Sequence, residues 1–142
     1  MISKEREAIL RAIAQASPFN RMMGLAIEAL DEGFARVVMP CPEDLMQLQG
    51  VVHGGALATL ADSAVAFALS TLIEANQRIS TIEMKINYLA PVTEGPAVAE
   101  ARILRKGRRV AVGDVDIYDG QGRLVAKSLM SYSIHTLDTG IR

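Results

Sequence analysis

The chain has 142 residues, half of them hydrophobic, with 15 basic and 16 acidic side chains and a net charge of −1. That length suits one domain built on one substantial core, and the balanced charge excludes the basic footprint of a nucleic-acid binder. A single cysteine, Cys41, excludes an internal disulfide and a cysteine-cluster metal site, and fits a reducing cytoplasm.

Residues 3–16 follow helical spacing, with Ile9, Leu10 and Ile13 on one side and charges opposite, and Ser17-Pro18 ends the run. The opening MISKEREAIL has acidic residues and no apolar stretch, unlike a signal peptide. Two strands are expected at 24–30 and 33–39 around the turn DEG, followed by an irregular loop, PCPEDLMQLQG. An apolar helix then runs from about Gly54 to Glu74, and Asp62 is the only charge between His53 and Glu74. Its length approaches that of a membrane span. Against that reading, Asp62 would sit near mid-bilayer, the flanks lack basic residues and interfacial aromatics, and no second span exists. A buried helix is the expectation.

In STIEMKINYL, Ile82, Met84, Ile86 and Tyr88 face one way and Thr81, Glu83, Lys85 and Asn87 the other, as in a half-buried strand stopped by Pro91. Three more strands follow at 96–105, 109–118 and 123–134, joined by the turns KG and DGQG. In VAVGDVDI the apolar phase changes across Gly113-Asp114, which predicts a bulge. The fold class is α+β. A helix apolar nearly all round must be covered on most sides, and a curved antiparallel sheet wrapped around it, with a second copy closing the remainder, supplies that cover. No repeat or linker divides residues 1–142, so one domain is expected, with 1–17 as its N-terminal helix and 18–135 as its core.

The chemistry concentrates in HGGALATLAD. Gly54 and Gly55 fall where the helix begins, and a first helical turn carries unpartnered N–H groups and the positive end of the dipole. Glycine lets a carbonyl approach those groups, where an oxyanion would be stabilised. The same residues also suit a plain glycine-rich turn. Asp62 shifts the balance, because its helical neighbours Ala58, Thr59, Val65 and Ala66 offer no charge partner and an isolated carboxylate in apolar surroundings is costly. It is either a structural group bonded from elsewhere in the fold or a functional one.

Gly54 and Asp62 stand eight residues apart, about 12 Å along a helix. A base and an oxyanion hole serving one carbonyl must both lie within about 3 Å of the reacting groups. One helix cannot bring both to one substrate, whereas two antiparallel copies about a twofold axis can. If both features are catalytic, the protein is an obligate dimer.

GVVHGGALATLADSAVAFA, followed by TIEMKINYLAP, resembles the hotdog-fold acyl-CoA thioesterases of the PaaI-like (phenylacetic acid degradation) type, over about residues 20–135. The resemblance implies hydrolysis of an acyl-CoA or aryl-CoA thioester in the cytoplasm, at two sites per homodimer and commonly in a dimer of dimers. Coenzyme A enters as part of the substrate, and no separate cofactor or metal is implied. Asp62 becomes the general base or the nucleophile, the Gly54 N–H polarises the carbonyl, and His53 supports that turn. Gln47 stands where the family often has asparagine, and Thr81 supplies a hydroxyl from the subunit that supplies Asp62.

RKGRR sets Arg105, Lys106, Arg108 and Arg109 at a hairpin tip. By charge alone this is a solvated turn or a phosphate site, and the resemblance implies the phosphates of coenzyme A. Phe19, Met22 and Met23 are candidates for an acyl pocket or for the core, while Asn87 and Tyr88 read as strand residues. Two other functions share the fold. A dehydratase or hydratase would carry a His-Phe-Pro-Gly type motif, absent here, and an acyl-CoA sensor without turnover would add a DNA-binding region, for which 142 residues leave no room.

Overall fold

The structure, a computed structural model, describes residues 1–138. The order is α1 (Lys4–Ala16), α2 (Pro18–Met23), β1 (Ala26–Asp31), β2 (Phe34–Met39), a 3₁₀ turn at Glu43–Leu45, and α3 (Gly54–Ser70). Then come β3 (Gln77–Tyr88), β4 (Ala97–Lys106), β5 (Val110–Tyr118) and β6 (Leu124–Thr136). The six strands form one antiparallel sheet in the order β1-β2-β4-β5-β6-β3, curved around α3. The α+β expectation of one long helix inside a curved sheet holds.

Ser17-Pro18 proves to be a start as well as a stop. Ser17 is extended, which ends α1, and its hydroxyl accepts the Asn20 N–H to cap α2, whose first turn Pro18 suits. The buried stripe of α1 also differs from the sequence reading: Leu10 and Ala14 are buried, whereas Ile9 and Ile13 are 46% and 62% exposed.

Helix α3 packs Ala56, Leu57, Leu60, Ala61, Ala64, Val65, Ala68 and Leu69 against the inner face of β2, β4 and β5. That sheet face is itself built from small residues, among them Ala35, Ala99 and Ala101, so helix and sheet approach closely. Gly113 marks the tightest point, where a Cβ would stand 2.8 Å from Val65 Cγ1. Here the expected bulge at Gly113-Asp114 is overturned. Ala111, Gly113, Val115 and Ile117 point inward in unbroken alternation, and Gly113 takes an inward place because nothing larger fits. The register shift on this hairpin lies between Ile103 and Arg105 of β4 instead.

α3 ends four residues before the expected Glu74. The Thr71 hydroxyl donates to Ala68 O at 2.7 Å, and Arg6 of α1 donates to Ser70 O and Ile73 O at 2.8 Å each, which closes the carbonyl end of the helix.

β3 follows α3 but pairs with β6, not with β4. The register slips between Thr81 and Glu83, leaving Ile82 as an extra residue. Ile82 is consequently 53% exposed instead of facing the core with Met84 and Ile86. Thr81, itself exposed, lies on the α3 side of the strand and bonds Asp62.

Candidate active site

Two clusters lie on α3, one at its start and one at its middle. At the start, His53 is the cap: its Nδ1 accepts the Gly55 N–H at 2.8 Å, so the ring braces the turn that the glycines form. Tyr88, at the end of β3, donates its hydroxyl to Gly54 O at 2.7 Å. Its ring lies so close that a Cβ on Gly54 would meet Tyr88 Cζ at 3.0 Å. Tyr88 therefore does more than strand work, and burial raises its phenol above the ordinary value, keeping the hydroxyl a donor.

Gln47 lines a cleft of about 430 Å³ with Val51, Gly54, Leu57, Tyr88 and Val92. Its own amide is engaged locally, Oε1 accepting the Gln49 N–H at 2.5 Å. On the other side of the helix start, a second cleft of about 370 Å³ runs between Phe19, Met23, Met46, His53, Gly55 and Thr59. Phe19 and Met23 thus border the glycine turn. Met22 lies outside that lining and is 72% exposed.

At the middle of the helix, Asp62 is half-buried on the side of α3 that also carries Gly55, Thr59, Ser63 and Phe67. Contrary to its helical neighbourhood, the carboxylate has partners. Thr81 Oγ1 donates to Asp62 Oδ1 at 2.8 Å, and Tyr132 of β6 donates to the same Oδ1 while lying 2.6 Å from the Asp62 main-chain oxygen. Thr81 and Asp62 thus meet within one chain. Tyr132 is 3% exposed, and burial together with its bond to Asp62 pushes the phenol well above its usual range. Sequence reading missed Tyr132 because it arrives from 70 residues away, with only the inward phase of β6 as a signal.

The basic hairpin divides. Arg105 and Lys106 close β4, exposed, whereas Arg108 and Arg109 line a cleft of about 490 Å³ with Ile134, His135 and Thr136. His135, another residue without a sequence signal, has Nε2 3.0 Å from Ser133 Oγ. Among the described residues no helix is long and apolar enough to cross a membrane.

Residues 49–126, which include all of α3, Thr81 and Tyr88 but neither Gln47 nor Tyr132, match the family model described as the Thioesterase superfamily. A Saccharolobus solfataricus protein bearing an esterase name is 34% identical over 123 residues, 87% of this chain and 81% of that one. The medium/long-chain acyl-CoA thioesterase YigI of Escherichia coli is 28% identical, over 82% of this chain and 85% of its own. Among solved structures, the E. coli PaaI protein of the phenylacetic acid degradation operon superposes with a TM-score of 0.86 at 25% identity, covering 96% of this chain and 99% of that one. Fold and likenesses together define a thioester hydrolase of the hotdog class. The chain belongs to the Thioesterase superfamily.

Proposed function

We propose that the protein hydrolyses an acyl-CoA or aryl-CoA thioester to the free acid and coenzyme A, at sites shared between two antiparallel copies of the chain. The observation that carries this reading is the arrangement on α3. An N–H-rich helix start at Gly54 and the carboxylate of Asp62 occupy the same helix about 12 Å apart, so a twofold partner must bring one to the other. Two features favour the partner. The side of α3 that bears Asp62 is only partly covered, by Thr81 of β3 and Tyr132 of β6, and β3 hydrogen-bonds β6 along one edge with no strand on the other among the described residues.

In this mechanism the thioester carbonyl lies against the Gly54 N–H, where the positive end of the helix dipole stabilises the oxyanion. His53 braces the turn, and Gln47 borders the same cleft. Water loses a proton to Asp62 of the opposite copy as its oxygen bonds to the carbonyl carbon. The tetrahedral oxyanion then collapses, the C–S bond breaks, and the departing thiolate takes up the proton held by Asp62, which restores the carboxylate. Direct attack by Asp62 would instead give an anhydride that water cleaves to the same products. Thr81 belongs to the subunit that lends Asp62, and Arg108 and Arg109, with Arg105 and Lys106 nearby, hold the phosphates of the coenzyme. Coenzyme A is needed only as part of the substrate. Residues 18–135 form the catalytic core of a single domain that α1 completes, and the dimer associates further into a dimer of dimers.

The test is release of free thiol from a panel of acyl-CoA and aryl-CoA esters of graded chain length. Turnover of at least one class supports the reading. Stoichiometric binding of those esters without turnover replaces it with an acyl-CoA-binding protein.

A further inference from the structure

Resting on the reading of Asp62 as base or nucleophile, we infer that Tyr132 is a positioning residue that divides the two carboxylate oxygens of Asp62 between structure and chemistry. Both donated hydrogen bonds fall on Oδ1, one from Thr81 at 2.8 Å and one from Tyr132, while no donor among the described residues reaches Oδ2. An aspartate side chain turns about two torsions. Two donors from different strands, β3 and β6, fix both at once.

Oδ1 is the anchored oxygen, its lone pairs occupied. Oδ2 is left as the oxygen that accepts the proton of water or attacks the carbonyl.

Tyr132 is built for this task in three respects. Its ring is buried in the sheet, so its hydroxyl stands at a fixed height above the strands. The single hydroxyl proton also has the Asp62 main-chain oxygen 2.6 Å away as an alternative acceptor, so the hydroxyl stays against the helix that carries the carboxylate. Finally, it remains protonated and donating across the working range, because burial and the bond to Asp62 both disfavour the phenolate. Asp62 is the sole titratable side chain in α3, and among the side chains bonded to it Tyr132 from β6 is titratable and Thr81 from β3 is not. Packing by itself explains none of this, since phenylalanine would fill the ring's place equally well.

The experiment compares Tyr132→Phe with the wild type on the best thioester of the panel, alongside Asp62→Ala. A positioned base supplies roughly 10²–10⁴-fold, and losing one of two anchors should cost about tenfold in kcat, with KM changed less than about twofold. Placing 4-aminophenylalanine at position 132, which restores an N–H donor at the same reach, should recover most of that loss. If Tyr132→Phe does not fold, the pair of 4-aminophenylalanine and 4-fluorophenylalanine at position 132 makes the same comparison at constant volume, the amine active and the fluoride impaired. Wild-type kcat in the variant without a donor, with Asp62→Ala inactive, overturns the role of Tyr132 alone. Wild-type turnover by Asp62→Ala overturns the underlying reading of the site.

Discussion

The start and the middle of α3 are built on opposite plans. At the start, the cap, the two glycines and Gln47 all lie between residues 47 and 55, and the group that the proposed mechanism uses is the main-chain N–H of Gly54, oriented by the helix itself. From a distance come Tyr88, which bonds Gly54 O, and the apolar Phe19 and Met23 that border the turn. At the middle, one side chain from each of three elements converges, Asp62 from α3, Thr81 from β3 and Tyr132 from β6. A binding turn made of backbone can be local, because a helix terminus is complete in itself. A carboxylate that must point in one direction needs side chains that come from elsewhere.

The largest expected effect breaks the middle and spares the start. Asp62→Ala should lower kcat by roughly 10²–10⁴-fold in the thiol-release assay. The fold should survive, since Tyr132 keeps the main-chain oxygen of residue 62 as an acceptor, and circular dichroism checks that. Near-normal turnover would remove Asp62 from the chemistry.

Next in size is a test of whether the two regions serve different substrates. Asp62→Ala and Gln47→Ala, each first shown inactive, are refolded together in equal amounts. About half the dimers should be hybrids with one site carrying both lesions and the other neither, so roughly a quarter of wild-type sites should return. If each chain builds its own site, mixing restores nothing although hybrids form.

A smaller change is expected at the basic hairpin, which touches neither region. Arg108→Gln with Arg109→Gln should raise KM for a CoA ester roughly tenfold with kcat nearly kept, because contact with a remote phosphate binds ground and transition states alike. A short thioester without the nucleotide should show no defect. Equal defects on both substrates would make the hairpin a structural element.

The smallest effect lies at the far end of the same helix. Arg6→Ala removes the side chain that closes Ser70 O and Ile73 O, and should cost about 1 kcal/mol and a few degrees of Tm. Turnover below Tm should stay unchanged, as a thermal melt paired with the assay would show. A loss of kcat comparable to that of Asp62→Ala would mean that the helix transmits strain along its length.

The same contrast explains what could be read before the fold was known. HGG and the eight-residue step to Asp62 are local patterns, and with the alternation in the later strands they carried both the family resemblance and the architecture. The pairing of β3 with β6 is not local, so the partners of Asp62 were invisible and the carboxylate looked isolated. Ile82 and Gly113 misled for one reason each. A bulge moved Ile82 out of phase, and the nearness of Val65 put a glycine where an apolar side chain would ordinarily mark the inner face.

Because β6 is the strand that pairs with β3 among the described residues, there is also a delay in how the protein is made. Asp62 and Tyr132 are separated by 70 residues, which at synthesis rates of about 5–20 residues per second is roughly 4–14 s of translation. During that interval the helix with its carboxylate has been synthesised, and β3 waits beside it with both edges unpaired. The nascent chain thus passes through a stage in which the apolar face of α3 can pack on β2 but lacks β4 and β5. For those seconds, exposed apolar surface and an unpaired strand edge make this the most aggregation-prone stage of synthesis.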